Sequence, residues 1–553
     1  MPDYDTARAL SRRAFLAGSA AVAVSSLLAA CGNGSTATDT PKPAAPTAAS
    51  TPHAAAGSGT TTSAPIAAAQ TTPKPATQSK GALNLALGFD FPAKIDALKD
   101  THLAPYGMLE SLMFQTPQNT LEPWLAQSVT NVNPTTWRVA LRPNATFWDG
   151  APVTADEVIA AFRKNWDAFP DLKGIISPDT KMTAVDARTI EFVTPQPSAI
   201  FPYALTLTST AIHKPSAPGG ADGTIMTGPY KPTKLVVDNQ LNLEPFAGHW
   251  GGPPPLAKIT IRFVGDPNAR LLALQSGDVD MLYNFPPEAI KTLGPEIDAS
   301  ATSSGRVGMI NLNVNRLPFS DRAVREACAL GIDRTVLNTI GLDGKGTPAT
   351  TLFPAISGYD TIPMQGTDVN RAKQLLDDAG WKMGADGVRA KDANRLAFTL
   401  LSYPGRADLT PYAVSMQSQL KPLGFALDVK EVQNIGDATK GGNFNAAMKS
   451  NNTLPTGNPL YEYNRLIGKG GGDNAGNYVN PQVEDLLAQM RVELDPAKSA
   501  VLSRQVQEIV KTDVPVILLT VTPITVAFRK GKVKGYTPHP NDSYLLNTAV
   551  SVT

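Results

Sequence analysis

Reactive side chains are sparse in this chain. Among its 553 residues there are two cysteines, Cys31 and Cys328, and five histidines, His53, His102, His213, His249 and His539. No two of the histidines stand at the spacing of metal ligands, so a bare-ion site is not expected. Nucleophile and phosphate chemistry lack a basis as well. There is no Gly-x-Ser-x-Gly elbow, no His-Glu-x-x-His and no Cys-x-x-Cys, and the pairs Gly344-Lys345 and Gly468-Lys469 lack the upstream glycine of a phosphate-cradling loop. The chain therefore reads as a non-enzyme that needs no cofactor. Cys328 shares a helical face with Val324 and Ala327 and reads as packing. His249, before Trp250 in a glycine-rich loop, reads as a surface or loop-packing imidazole.

The chemistry that the spacing does support is processing of the N-terminal segment. Ser11-Arg12-Arg13-Ala14-Phe15-Leu16 is a twin-arginine export motif, with Arg12 and Arg13 as the address. From Ala14 to Ala30 there is no charge, and the run is short for a stable membrane span. It ends in Leu28-Ala29-Ala30-Cys31, which resembles the lipobox of bacterial lipoproteins. That resemblance implies that residues 1–31 are a signal peptide with Cys31 as the acylated mature N-terminus, anchored to the outer face of the membrane or in the periplasm. With Cys31 so used, Cys328 has no disulfide partner. Residues 32–80 are Ala, Thr, Pro, Ser and Gly with almost no large apolar side chain, and read as a disordered, extended tether.

From Gly81 onward the composition is globular, and the length exceeds one ordinary core, so two or three lobes are expected. The formal net charge is +1 with no basic block in this part, which argues against a nucleic-acid partner. Alternating strands and capped amphipathic helices predict an α/β architecture with mixed sheets. Strands are predicted at Trp137, Val139 and Leu141, at Ile190 and Phe192, over 83–87, 258–263 and 398–401, and at Val516-Ile517-Leu518-Leu519. Thr154-Ala155-Asp156-Glu157 has the form of a capping box ahead of Ile159, Phe162 and Trp166. Asp266 and Pro267 open a helix that Gly277 stops. Further helices are predicted over 321–332, 370–379, 481–494 and 496–512.

Six stretches, taken in order, resemble the peptide/nickel class of bacterial extracellular solute-binding proteins, family 5. They are residues 137–142 with Phe147-Trp148-Asp149-Gly150, then 153–158, then Thr227-Gly228-Pro229-Tyr230. Next come 261–263 with Arg270 and 273–280, then 311–315 with Pro318-Phe319, 324–327 and Asp333-Arg334, and lastly Ala379-Gly380-Trp381. The resemblance implies a type II periplasmic-binding-protein-like α/β fold, two jaws with an extra inserted lobe and a hinge between lobes. Lobe I would take 81–113, 213–303 and 519–553, lobe II 114–212 and lobe III 304–518. It further implies a monomer that captures a peptide-like or small polar organic solute, or alternatively nickel or another metal as a chelate. The partners implied are an ABC permease and its separate ATPase subunits.

Receptors of this class often place an aspartate in lobe III to meet a peptide's ammonium group. The corresponding stretch here, 447–459, contains no carboxylate, which favours neutral or anionic solutes. Within it Asn451, Asn452 and Thr453 offer amide and hydroxyl groups, and Lys449 would meet a carboxylate if it pointed inward. Tyr403, after the strand 398–401, and Phe89 and Phe91, after the strand 83–87, stand where this architecture presents side chains to the cleft.

Overall fold

Leu83, Leu85, Ala86 and Leu87 are all wholly buried, because the strand Ala82–Leu87 has a neighbour on each side and is covered on both faces. It runs parallel to Lys258–Phe263 and to Met281–Tyr283, at the centre of a seven-stranded mixed sheet. The sheet continues through Gln240–Pro245 and Tyr230–Val236 on one side, and through Ile524–Arg529 and Ile297–Thr302 on the other. The computed structural model describes residues 66–67, 79–88, 94–99, 103–215, 223–359, 361–404, 406–546 and 549–553. Arg12, Arg13, Cys31, Phe89, Phe91 and most of the tether lie outside the described residues.

A six-stranded mixed sheet is built wholly from residues between Arg306 and Val521, in the order Thr347–Pro348, Val516–Val521, Arg306–Leu312, Ala446–Asn452, Ala397–Ser402, Ala426–Glu431. Helices cover both faces. One face packs Phe319, Cys328, Leu337, Tyr412 and Met416 against Ile310, Leu400, Met448 and Ile517. The other packs Leu460, Tyr463, Leu487 and Val506 against Val307, Met309, Val516 and Leu518. Cys328 is buried in the first of these layers, and burial pushes its thiol up to about 12, so it is packing rather than a nucleophile. The chain passes between the six- and seven-stranded sheets twice, at 303–305 and at Thr522 and Pro523.

A five-stranded antiparallel sheet holds Ala126–Asn133, Thr136–Leu141, Thr189–Val193 and Lys181–Asp186, backed by the helix Ala155–Ala168. Trp137, Val139 and Leu141 point to one core with Phe162, Trp166, Ile190 and Phe192, as their alternation predicts. Within the stretch read as a tether, Ile66–Ala67 adds a short edge strand, pairing with Val129 and Ser128.

Helix ends follow the local signals. The Thr154 side chain accepts from the Glu157 N–H at 3.3 Å, and Asp266 accepts from the Ala269 N–H at 2.7 Å. Gly277 closes its helix at φ +86°, and a Cβ there would also meet Nη1 of Arg529 at 2.6 Å. Observed helices at Arg322–Leu330, Val369–Asp378, Pro481–Val492 and Pro496–Asp513 lie within two residues of the predicted spans. The helices Arg334–Leu342, Leu409–Leu420 and Pro459–Leu466 were not anticipated.

Arg334 ties the six-stranded sheet to the layer that covers it. Its buried guanidinium donates to the carbonyls of Leu518 (2.7 Å), Ala329 (3.2 Å), Ile332 (3.0 Å) and Gly366 (3.0 Å) and to Oε1 of Gln365 (2.9 Å). Burial pulls its pKa down to about 10, still far above neutrality. Arg334→Met removes the donor and leaves the Ala329 and Gly366 carbonyls short of one, while the Ile332 carbonyl and Gln365 Oε1 keep the Thr367 hydroxyl and the Leu518 N–H. The unfolding free energy should fall by at least about 3 kcal/mol, seen as a lower urea midpoint at unchanged m-value.

Candidate functional site

The strand Ala446–Asn452 divides its polar side chains by pleat. Lys449 and Asn451, two apart, project to one face of the six-stranded sheet, and Met448, Ser450 and Asn452 alternate with them. On the first face Lys449 Nζ donates to Asp473 Oδ1 at 2.7 Å, and Asn451 Nδ2 to Asp473 Oδ2 at 3.3 Å. Arg465 also pairs with that Oδ2, and with Glu462 Oε2 at 3.3 Å. Glu462 is fully buried, and its Oε1 has no hydrogen-bond partner. Burial pushes this carboxyl up to about 7, against the opposing pull of Arg465. Burial alone would raise Asp473 too, but Arg465 and Lys449 overcome it and hold that carboxyl below the usual range.

Arg465 and Asp473 form part of one wall of a solvent-open cavity, and Lys449, Asn451 and Glu462 lie behind them. Tyr461, Asn464 and Arg465 come from the helix Pro459–Leu466, Asp473 from the glycine-rich loop after it, and Glu484 and Arg491 from the helix Pro481–Val492. The opposite wall is the short 3₁₀ segment Pro170–Gly174, whose Leu172 is anchored in the core of the five-stranded sheet. The two walls meet where the Ala199 N–H donates to the Arg491 carbonyl at 2.8 Å and Ile200 enters the core beneath the helix Pro459–Leu466.

On the other face Asn452 turns toward the crossings. Its Nδ2 donates to Asn541 Oδ1 at 3.1 Å and to Asp542 Oδ1 at 3.3 Å. Arg306, the first residue of its strand, pairs with Asp542 and donates to the Ser450 carbonyl at 3.1 Å. Asp542 raises the guanidinium pKa against the effect of burial, while Arg306 overcomes burial to lower the carboxyl. A narrow crevice lies here between Tyr283, Ser304, Arg306, Asn452, Pro523 and Asp542.

The structure thus separates the sequence-predicted residues. Lys449 does meet a carboxylate, but it is the chain's own Asp473. Thr453 is committed to scaffolding: it is buried, and both its N–H (2.8 Å) and its hydroxyl (3.1 Å) donate to the Gly305 carbonyl. Asn452 is occupied beside the crossings. Tyr403 packs on the six-stranded core in the field of Arg406 and Arg306, and burial raises its pKa. Asp473, Glu462, Arg465 and Arg306 were not singled out from sequence.

His249 is buried rather than superficial. Its Nε2 lies 3.0 Å from Glu110 Oε1, which also accepts from Trp250 Nε1 at 3.1 Å, while the Arg142 guanidinium sits 4.1 Å over the Trp250 ring. His213 and His539 are likewise internal, and burial pulls both down to about 4. Among the described residues no group of three or more His, Cys, Asp or Glu side chains is disposed to hold a metal ion. No described helix is long and apolar enough to cross a membrane.

Asp473→Asn should uncouple the wall of the cavity. Lys449 and Arg465 would lose their shared counter-charge, at a cost of about 2–3 kcal/mol in unfolding free energy after allowance for partial exposure. Because the Asp473 pKa is lowered on folding, its contribution is present above the unfolded carboxylate range and lost as pH falls through the folded value. The difference between wild type and variant should therefore shrink in acid, as followed by urea titrations from pH 7 downward.

The family model for bacterial extracellular solute-binding proteins, family 5 (middle), matches residues 120–474. The nickel-binding protein NikA of Staphylococcus aureus is 27% identical over 468 residues, which cover 82% of this chain and 93% of that protein. The glutathione-binding protein GsiB of Escherichia coli K12 is 27% identical over 410 residues, covering 71% and 79%. The crystal structure of the S. aureus NikA in complex with Ni(L-His)2 superposes with a TM-score of 0.74 at 25% identity, covering 85% of this chain and all of the other. The oligopeptide-binding AppA of Bacillus subtilis, bound to a nonapeptide, gives a TM-score of 0.73 at 21% identity over 86% of this chain and 99% of its own, and shares the fold.

Proposed function

The chain belongs to the bacterial extracellular solute-binding proteins of family 5, the substrate-binding components of ABC importers, and we propose that it captures a small polar or peptide-like solute in the cavity walled by Arg465, Asp473 and Asp171. The observation that carries this reading is the position of the cavity. It opens between the body around the five-stranded sheet and the helices on the six-stranded sheet, where charged and aromatic groups converge without any nucleophile–base pair. Lobe I (81–113, 213–303 and 519–553) with the inserted lobe II (114–212) is one jaw and lobe III (304–518) the other, and they flex at the crossings 303–305 and Thr522 with Pro523. Closure is stabilised by contacts to solute made only in the shut form, since a ligand of equal affinity for both forms shifts nothing. The shut form docks on a permease driven by separate ATPase subunits.

A second reading, uptake of nickel or another metal as a preformed chelate, is favoured by the similarity to the nickel-binding NikA together with the lack of a protein ligand set among the described residues. In that case the metal is cargo and arrives with its ligands complete.

Native mass spectrometry of gently purified protein should find a retained small molecule. A solute at a hundred times its Kd should raise the unfolding free energy by about 2.7 kcal/mol, which a thermal-shift panel of peptides, opines, sugars and metal chelates will report. Stabilisation by nickel only with added histidine would select the chelate reading. Absence of any retained solute and of any shift would overturn both.

We further propose that Cys31 is lipidated after export by the Arg12-Arg13 leader, so that residues 32–80 hold the receptor off the membrane face as a monomer. Cys31→Ser should move the protein from the detergent phase to the aqueous phase in a Triton X-114 partition of producing cells. Retention in the detergent phase would refute the anchor.

A further inference from the structure

Resting on the receptor reading, we propose that the cavity is selective for an anionic solute, a carboxylate-bearing molecule or chelate, and that Glu462 takes up a proton when the anion binds. The argument begins with charge around the wall. At the mouth, Lys469 and Arg491 are matched by Asp171 and Glu484. Behind it, Lys449 and Arg465 share a single ionised partner, Asp473, whose two oxygens are both occupied. The remaining charge belongs to Glu462, the only side chain that can cancel the second cation in this cluster.

Glu462 is poorly placed to stay ionised. It is 0% exposed, and one of its oxygens has no donor. The groups that face it are Arg465 and Tyr461 on its own helix, Lys449 and Asn451 on the strand Ala446–Asn452, and Asp473 on the glycine-rich loop. A buried carboxylate needs several donors to remain charged, and here the donors are Arg465, at 3.3 Å, and the Asn451 side chain, too few to offset full burial. Two positive groups against Asp473 alone leave one positive charge in excess whenever Glu462 is neutral. Arg465 carries that excess into the cavity: it lines the wall, its side chain is 34% exposed, and its guanidinium lies 5.4 Å from the Tyr461 ring centre.

An ammonium group meets Asp171 and Glu484 only at the mouth, beside Lys469 and Arg491; deeper in, Asp473 is doubly paired and Glu462 is enclosed. An anion finds Arg465. When the solute brings the negative charge, an ionised Glu462 becomes a like charge behind it and is driven to protonate, the proton coming from solvent. Binding and proton uptake are then reciprocally linked. Burial places the Glu462 transition near neutrality, at about 7, so the linkage falls in an accessible range.

The test is titration calorimetry at pH 6 and pH 8, in phosphate and in Tris, with citrate, glutathione and Ni(II)–EDTA as anionic probes. Glutathione diethyl ester, which has lost both carboxylates, and neutral Ni(L-His)2 are the comparators. The expected result is tighter binding of an anion than of its comparator, weakening roughly tenfold from pH 6 to pH 8, with uptake approaching one proton per anion at the higher pH. Glu462→Gln should abolish both the pH dependence and the proton uptake, and Arg465→Gln the preference for anions. Should a variant fail to fold, the wild-type pH profile and proton count decide alone. Equal binding of anions and comparators, a flat pH profile, or a Glu462→Gln protein that still takes up a proton would overturn the proposal. If no anion binds while native mass spectrometry still finds a neutral or cationic solute, this inference falls and the receptor reading stands. If nothing is retained and no probe binds, the receptor reading falls with it.

Discussion

Residues 306 to 521 leave the rest of the chain at 303–305 and return at Thr522 and Pro523, and these adjacent crossings are the covalent constraint on which the architecture turns. They are bound to each other. Ser304 Oγ donates to the Thr522 carbonyl at 2.6 Å and accepts from the Arg306 N–H at 2.9 Å, while the Thr522 N–H donates to the Arg306 carbonyl at 2.9 Å. Two short connections cross-linked in this way resist shear and lengthwise separation, and leave bending about them as the soft motion. The Arg306–Asp542 pair lies beside that axis and joins the strand after one crossing to the C-terminal segment. Both ions are partly shielded from water, and each raises the preference of the other for its charged form, so the pair favours the arrangement seen.

The same pleat that builds the central strand distributes its chemistry. Successive side chains of Ala446–Asn452 face opposite ways, so Lys449 and Asn451 hold Asp473 while Asn452 bonds beside the crossings. A polar run of four residues is thereby divided between the network behind the cavity wall and the contacts beside the crossings. Displacement at Asn452 therefore reaches Lys449 through three residues of hydrogen-bonded strand rather than through a loop.

Much of the scaffold was legible because its signals are local. Thr154 and Asp266 stand at the helix starts that their side chains cap, and the alternation of Trp137, Val139 and Leu141 matches the pleat that buries them. The helix Pro459–Leu466 escaped notice although Asn458 before Pro459 is the same cap-and-proline signal that opens Pro481–Val492. That omission hid the binding wall, since the i, i+3 spacing of Glu462 and Arg465 has meaning only on a helix. Asp473 was illegible for a different reason: its partner Lys449 is 24 residues away, and only the path of the loop brings them together. Lys449 was expected to meet a carboxylate, and the identity of that carboxylate required the fold.

The residues that identify the family and those that line the cavity are different sets. Arg334, Trp381 and Gly228 do structural tasks: Arg334 satisfies buried carbonyls, Trp381 donates to Asp321 at 3.0 Å, and a Cβ on Gly228 would lie 2.4 Å from the Met108 carbonyl carbon. Each is constrained by packing within the scaffold. Asp171, Tyr461, Arg465, Lys469 and Asp473 stand outside every one of the stretches that carry the resemblance. They sit on a short 3₁₀ segment, an outward helix face and a glycine-rich loop, where side chains change without disturbing a core. A shared scaffold therefore accommodates partners as unlike as a nickel–histidine complex and a nonapeptide in similar structures, and in this chain the side chains that line the cavity are drawn from outside the packing that builds the scaffold.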